Sequence, residues 1–137
     1  MAKPVVVDTD VLIDYFAGVS PSEKAVHRLL ETDRLAVTTL TVFELYCGVE
    51  KAEFQQDVGL LVDAFRNVLR LSIEAARRAA QLFRALKRRG EALPTPELLI
   101  AGCCLAADLP LLTRNRQQFS GISHLDLIEF HEIEHVL

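Results

Sequence analysis

Short β-branched runs alternate along this chain with longer segments whose apolar residues recur every three or four positions, the pattern of a parallel sheet covered by helices. Val5 to Val7 form an apolar run that stops at Asp8, and they predict the first strand. Val11 to Phe16 predict a short helix capped by Asp10. Ser20, Pro21, Ser22 and Glu23 have capping-box spacing with proline at the first helical position. They predict a helix from Pro21 to Glu31, with Val26, Leu29 and Leu30 as its buried stripe. The segment LAVTT, residues 35–39, predicts a second strand, and Thr41 with Glu44 repeats the capping-box spacing ahead of Leu45, Tyr46 and Val49. Phe54 to Phe65 and Ile73 to Arg89 carry helical periodicity, and Gly90 after three basic residues is a helix stop. Thr95 and Pro96 start a further helix, PELLIAGCCLAA, apolar on nearly every face and therefore central. LPLLT, residues 109–113, and LDLIEF, residues 125–130, predict the last two strands.

Half the residues are apolar and a quarter charged, enough in 137 residues for one domain, 1–137, with a real core. The apolar run at the N-terminus is broken by Asp8, Asp10 and Asp14, which fits neither a signal peptide nor a membrane span. Cys47, Cys103 and Cys104 lie in apolar helical patterns without metal-ligand spacing, so they read as reduced core residues of a cytoplasmic protein. Net charge is −4, which argues against generic nucleic-acid binding. The charge is unevenly spread: between Arg66 and Gly90 eight cations face one acid, Glu74, giving +7 there and −11 elsewhere. That helix is either an ordinary solvated face or a face that meets RNA.

In an open parallel sheet, ligands bind beyond the carboxyl ends of the strands, where helix N-termini converge. Asp8 stands at such an end, Glu44 and Glu97 near the starts of helices, and Thr113 with Asn115 after a later strand. Each acid alone has a structural explanation: a capping box for Glu44, the helix dipole for Glu97, an N-cap for Asp10. Asp8 is harder to explain that way, because a carboxylate ending a buried strand needs a partner or a cation. Carboxylates gathered on one rim repel unless a divalent ion compensates them, and oxygen donors suit Mg²⁺ or Mn²⁺.

The segments VVVDTDVLIDYF, TVFELYCGV and TPELLIAGCCLAADLPLLTRNRQQF, in this order, resemble the PIN domain family, and most of all its VapC-type toxins. The resemblance runs from Val5 to about Leu127 and implies an α/β fold, an α/β/α sandwich around a small parallel sheet. It implies a metal-dependent endoribonuclease with Asp8, Glu44 and Glu97 as catalytic acids and ligands of Mg²⁺ or Mn²⁺, Glu44 acting directly or through water. Glu97 replaces the family's usual aspartate. Thr9, Asp10, Thr113 and Asn115 would support the site, and Gln118 stands where the family often has a further acid. Arg114 and Arg116 are candidates for gripping the RNA phosphates. The histidines have no role in this scheme: His27 sits on a helix, and His124, His131 and His135 lie in the C-terminal segment. The resemblance further implies a homodimer and a small VapB-like antitoxin whose arm blocks the acidic rim. It implies no membrane partner. The apolar helices at Val26–Leu30 and Phe54–Phe65 are either a groove for that arm or core.

Two other readings remain open. A PIN-like module with a weakened metal site, binding RNA or regulating a partner, is motivated by Glu97 and Gln118. The D-x-D opening also resembles haloacid-dehalogenase-like phosphatases, but no lysine follows Thr113 and the later acids Asp126 and Glu129 are not paired as that family needs. No aromatic platform for stacked bases is expected, since Tyr15, Phe16 and Tyr46 read as core.

Overall fold

A computed structural model describes residues 2–48 and 52–134. The predicted positions Val49 and His135 lie outside the described residues. The chain runs β1 (Val5–Val7), α1 (Thr9–Phe16), α2 (Ser22–Glu31), β2 (Leu35–Thr38), α3 (Thr39–Cys47), α4 (Ala52–Ala64), β3 (Asn67–Leu69), α5 (Ile73–Arg88), α6 (Thr95–Ala107), β4 (Leu111–Leu112), α7 (Arg116–Phe119) and α8 (Phe130–Glu134). The four strands form one sheet in the order β3-β2-β1-β4, every pair parallel. Val5 pairs with Leu35, and Val6 with both Ala36 and Leu111, so β1 is central and buried on both faces.

Alternation along that strand builds two cores. Val5 and Val7 pack with Val11, Leu12, Val26, Leu29 and Ile133 on one face; Val6 packs with Ala79, Leu86, Ile100, Ala101 and Phe119 on the other. The result is the expected α/β/α sandwich. β1, β2 and β4 all run into the same rim, which places Asp8, Thr38 and Thr113 side by side at their carboxyl ends.

Several local expectations are corrected. Asp8, not Asp10, caps α1, its side chain accepting from the Thr9 amide. α2 starts at Ser22, not after a Ser20 cap, and the cap residue Pro21 has no side chain that can accept a hydrogen bond; the Ser22 hydroxyl donates to Asp14. Thr38, not Thr41, caps α3, its hydroxyl accepting from the Thr41 amide, so Glu44 lies more than a turn inside the helix. The strand expected at 125–130 shrinks to one bridge, Leu111 to Leu127, because Phe130 already begins α8. β3, an edge strand of three residues, has no counterpart among the expected elements. Leu30 is only half-buried, and Cys47 and Tyr46 are exposed rather than core, with Tyr15 and Phe16 half-buried. Cys103 and Cys104 are buried as expected, and burial pushes both thiols up, away from the reactive thiolate.

Candidate active site

Asp8 is 6% exposed and leaves the buried strand β1 directly into α1. Its two oxygens are held separately: Oδ1 accepts from the Thr9 amide at 2.9 Å, Oδ2 from the Thr113 hydroxyl at 2.7 Å. The Thr113 hydroxyl in turn accepts from the Asn115 amide at 3.0 Å, which fixes the turn after β4. Burial, the neighbouring Asp10 charge and the Glu44 charge push the Asp8 carboxyl up to about 6, against the two hydrogen bonds that pull it down.

Glu44 reaches the same place from α3. Its Oε1 accepts from the Thr9 hydroxyl at 2.7 Å; the Thr41 hydroxyl lies 3.1 Å from Thr9 and the Thr38 hydroxyl 3.4 Å from Thr41. This buried line of hydroxyls orients Glu44, and the sequence points only to its Thr9 end. The spacing of Thr38 and Thr41 is visible in the chain, but it reads as capping alone.

Glu97 comes from the first turn of α6 and is half-buried. Its carboxyl is raised by burial first, then by the Asp8 and Glu44 charges, so the three predicted acids share one electrostatic neighbourhood. The three do not form a closed cage: among the described residues no group of three or more Asp, Glu, His or Cys side chains can hold a metal ion by itself. Glu44 is turned to Thr9 instead.

Asp10 lies half-buried in the first turn of α1. Its Oδ1 accepts a long 3.5 Å bond from the Arg114 amide, and its Oδ2 is buried without a hydrogen-bond partner. Burial raises this carboxyl too. The Arg114 guanidinium lies one turn further along α1, where Nη1 stands 3.0 Å from both Asp14 oxygens. Arg114 is therefore at the rim, as expected, and it is held there by Asp14, a residue without a role in the sequence-based scheme.

Arg116 behaves differently from the expectation. It binds the Leu127 and Ile128 carbonyls and pairs with Glu129 at 3.3 Å, so it fastens the C-terminal segment to α7. Asn115 and Gln118 are exposed, and Gln118 brings no charge to the rim. His27, His124 and His131 are exposed. Among the described residues no helix is long and apolar enough to cross a membrane.

The same architecture is found elsewhere. Ribonuclease VapC1 of Methanocaldococcus jannaschii is 27% identical over 123 residues, spanning 90% of this chain and 84% of that protein. Ribonuclease VapC10 of Mycobacterium tuberculosis is 30% identical over 121 residues, spanning 88% of this chain and 90% of that protein. Among solved structures, VapBC2 from Rickettsia felis, bound to a DNA fragment from its promoter, superposes with a TM-score of 0.78 at 20% identity. That match spans 90% of this chain and 96% of the other. The PIN domain model matches residues 5–125. A match over nearly the whole sheet and all three rim acids, with relatives of similar length, makes this chain a member of the PIN domain family and, within it, of the VapC group.

Proposed function

We propose that this chain is an endoribonuclease that requires Mg²⁺ or Mn²⁺ and acts as the toxin of a type II toxin–antitoxin pair. The observation that carries the reading is Asp8: a carboxylate buried at a strand end, fixed through both oxygens, with Glu44 and Glu97 in the same field. The named relatives, both ribonucleases, support it.

The donors fit such an ion in kind. All are oxygens, and Asp10 adds a buried oxygen with no partner beside them. Mg²⁺ keeps several waters and takes only one or two carboxylates directly. Asp8 would be the direct ligand, with Glu97 and Glu44 completing the shell, Glu44 through water. When bound, the ion supplies a water of lowered pKa and neutralises charge developing on the phosphate. The protein's own part is positional. Thr113 and the Thr9 amide hold Asp8, the Thr9 hydroxyl holds Glu44 so that it can orient the attacking water, and Arg114 stands at the rim to meet a phosphate oxygen.

The partner would be a small antitoxin, and homodimerisation belongs to the same proposal. A groove of about 400 Å³ runs beside Glu44, lined by Ile13 and Phe16 of α1, Leu45 of α3, and Phe54 and Val58 of α4. Ile13 is 56% and Phe54 45% exposed, an apolar lining that a partner's side chains would cover. On the other candidate helix Val26 and Leu29 are core, while His27 and Leu30 line a second groove, of about 470 Å³, with Leu60, Leu61 and Ala64 of α4.

A second reading, an RNA-binding or regulatory module with a weakened metal site, is favoured by the open arrangement of the three acids and by the neutral Gln118. One experiment separates the two. Purified protein is given a mixed structured RNA pool with Mg²⁺ or Mn²⁺, with excess chelator, and as Asp8→Asn. Cuts that need the ion and vanish in the variant support the nuclease; a folded protein that leaves the pool intact supports the module.

A further inference from the structure

The positive charge of this acidic chain is concentrated on α5, and the far end of that helix returns to the acidic rim. Residues 66–90 sum to +7 while the whole chain is −4. Some of those cations are neutralised locally: Arg77 and Arg78 pair with Glu74, and Arg89 with Glu91. Arg84, Lys87 and Arg88 are exposed and have no ion-pair partner among the described residues.

Residues 83, 84, 87 and 88 are one helical turn apart in two adjacent rows, so they form one patch. Arg84 and Arg88 lie opposite the face of α5 that buries Ala75, Ala79 and Leu86, and Phe83 and Lys87 lie on the flank between the two. Phe83 is 52% exposed in this patch, and the Lys87 ammonium stands 5.9 Å from its ring centroid. An exposed ring among unpaired cations can take a base on its face while the cations take the phosphates on either side.

Two contacts fix where this patch lies. α5 and α6 run antiparallel, with Gly102 against Ala75 and Ala79 at one end and a tight return, closed by the Glu91 amide on the Leu86 carbonyl, at the other. The last turn of α5 is therefore beside the first turn of α6, which carries Glu97. Arg89 Nη2 also donates to the Gly121 carbonyl at 2.7 Å, tying the same end of α5 to the chain that follows Thr113 and α7.

We infer that the Phe83, Arg84, Lys87 and Arg88 patch of α5 binds single-stranded RNA flanking the bond that is cut at the rim. The cations take successive phosphates and Phe83 takes a base. This rests on the ribonuclease reading above and names the surface that extends its substrate contact.

The test uses full-length protein carrying Asp8→Asn, so that RNA is bound without being cut. Binding of a fluorescein-labelled single-stranded RNA is followed by anisotropy across roughly 50–200 mM salt. Replacing Arg84, Lys87 and Arg88 together by glutamine is expected to lower the slope of log K against log salt by about 2, at about 0.7 for each phosphate that is no longer neutralised. Phe83→Ala is expected to weaken binding at every salt concentration by about fivefold or more. A charge-matched control, Lys3→Gln with Arg34→Gln and Arg66→Gln, removes three cations from the amino ends of the strands, on the opposite rim of the sheet, and is expected to keep the slope.

Circular dichroism checks that both triple variants are folded. Equal slopes for the two triple variants overturn the inference, as does an unchanged RNA slope with loss of polyglutamate binding, which would assign the face to an acidic protein segment. Cleavage by protein with Asp8 intact is measured in parallel. Cleavage with an unaltered slope sinks the α5 surface alone; absence of cleavage sinks the nuclease reading, and the slope still decides the α5 surface.

Discussion

Burying Asp8 raises its carboxyl from 3.8 to about 6, which corresponds to roughly 3 kcal/mol against the charged form. Because the folded value lies above the unfolded one, this contribution favours the fold fully below about pH 3.8 and is lost as pH rises through about 6. In chelator, Asp8→Asn should therefore be more stable than the parent protein at pH 8 by about 1–3 kcal/mol, read as a higher unfolding temperature, with the gap closing at pH 4. Differential scanning calorimetry at the two pH values checks this, and an equal gap at both would refute it. Adding Mn²⁺ should stabilise the parent and leave Asp8→Asn unmoved. Thr113 supplies the opposing force, since its hydroxyl bonds to the Asp8 carboxylate and pulls its pKa down. Thr113→Val should move the acid limb of RNA cleavage to higher pH, while Thr113→Ser keeps it near the parent value. A pH–rate profile unaltered by the valine would break the link. At this scale Asp8 at a strand end and Glu97 near a helix start are legible in the sequence, while Glu44, which its spacing from Thr41 places at a helix start, lies more than a turn inside α3. Thr38 and Thr41, which continue the hydroxyl line behind Glu44, and Asp14, which holds Arg114, are not legible, because their roles depend on which strands and helices end up side by side.

Elements long enough to show periodicity are legible in the chain, and the corrections fall on short ones. β3 has three residues and no alternation to betray it; it exists because Val37 and Thr38 offer a free edge to Val68 and Leu69. The segment 125–130 has the apolar content of a strand, yet only Leu127 pairs, flanked by the Leu111 amide on Asp126 and the Ile128 amide on Leu111. Both capping boxes give way because the helices start at other residues, α2 at Ser22 after Pro21 and α3 at Thr39 after Thr38. The α5–α6 pair carries a different constraint. A Cβ on Gly102 would overlap the Ala75 carbonyl and crowd Ala79, so the helices approach as closely as backbone allows. Gly102→Ala gains up to about 1 kcal/mol of helix propensity, but forcing the two backbones apart costs about 1–3 kcal/mol. The carbonyl cannot move without its helix, so we expect net destabilisation, read as a lower denaturation midpoint in urea. A midpoint at or above that of the parent would show that the contact has room to spare.

The whole molecule places two different surfaces around one acidic rim. On the α6 side stand the cations of α5; on the α1 side stands the apolar groove beside Glu44. Charge composition hints at the first, since the +7 segment is visible in the sequence. The second is visible there only as one of two candidate helices, because Ile13 and Phe54 have the same helical spacing as core residues, and only the fold shows that they stay uncovered. If the groove receives an antitoxin arm, truncating its two most exposed walls should uncouple inhibition from catalysis. Ile13→Ala with Phe54→Ala removes apolar surface without touching Asp8, Glu97 or the hydroxyls that hold Glu44. Both side chains are about half in solvent, so the fold should lose little. Only the anchoring side chains of an interface cost more than about 1 kcal/mol each when truncated; if Ile13 and Phe54 are such anchors, the antitoxin concentration giving half-inhibition should rise at least about tenfold. Cleavage without antitoxin should stay at the parent level. Inhibition at an unchanged antitoxin concentration would move the docking surface elsewhere, and a matching fall in uninhibited cleavage would make the groove part of the RNA path.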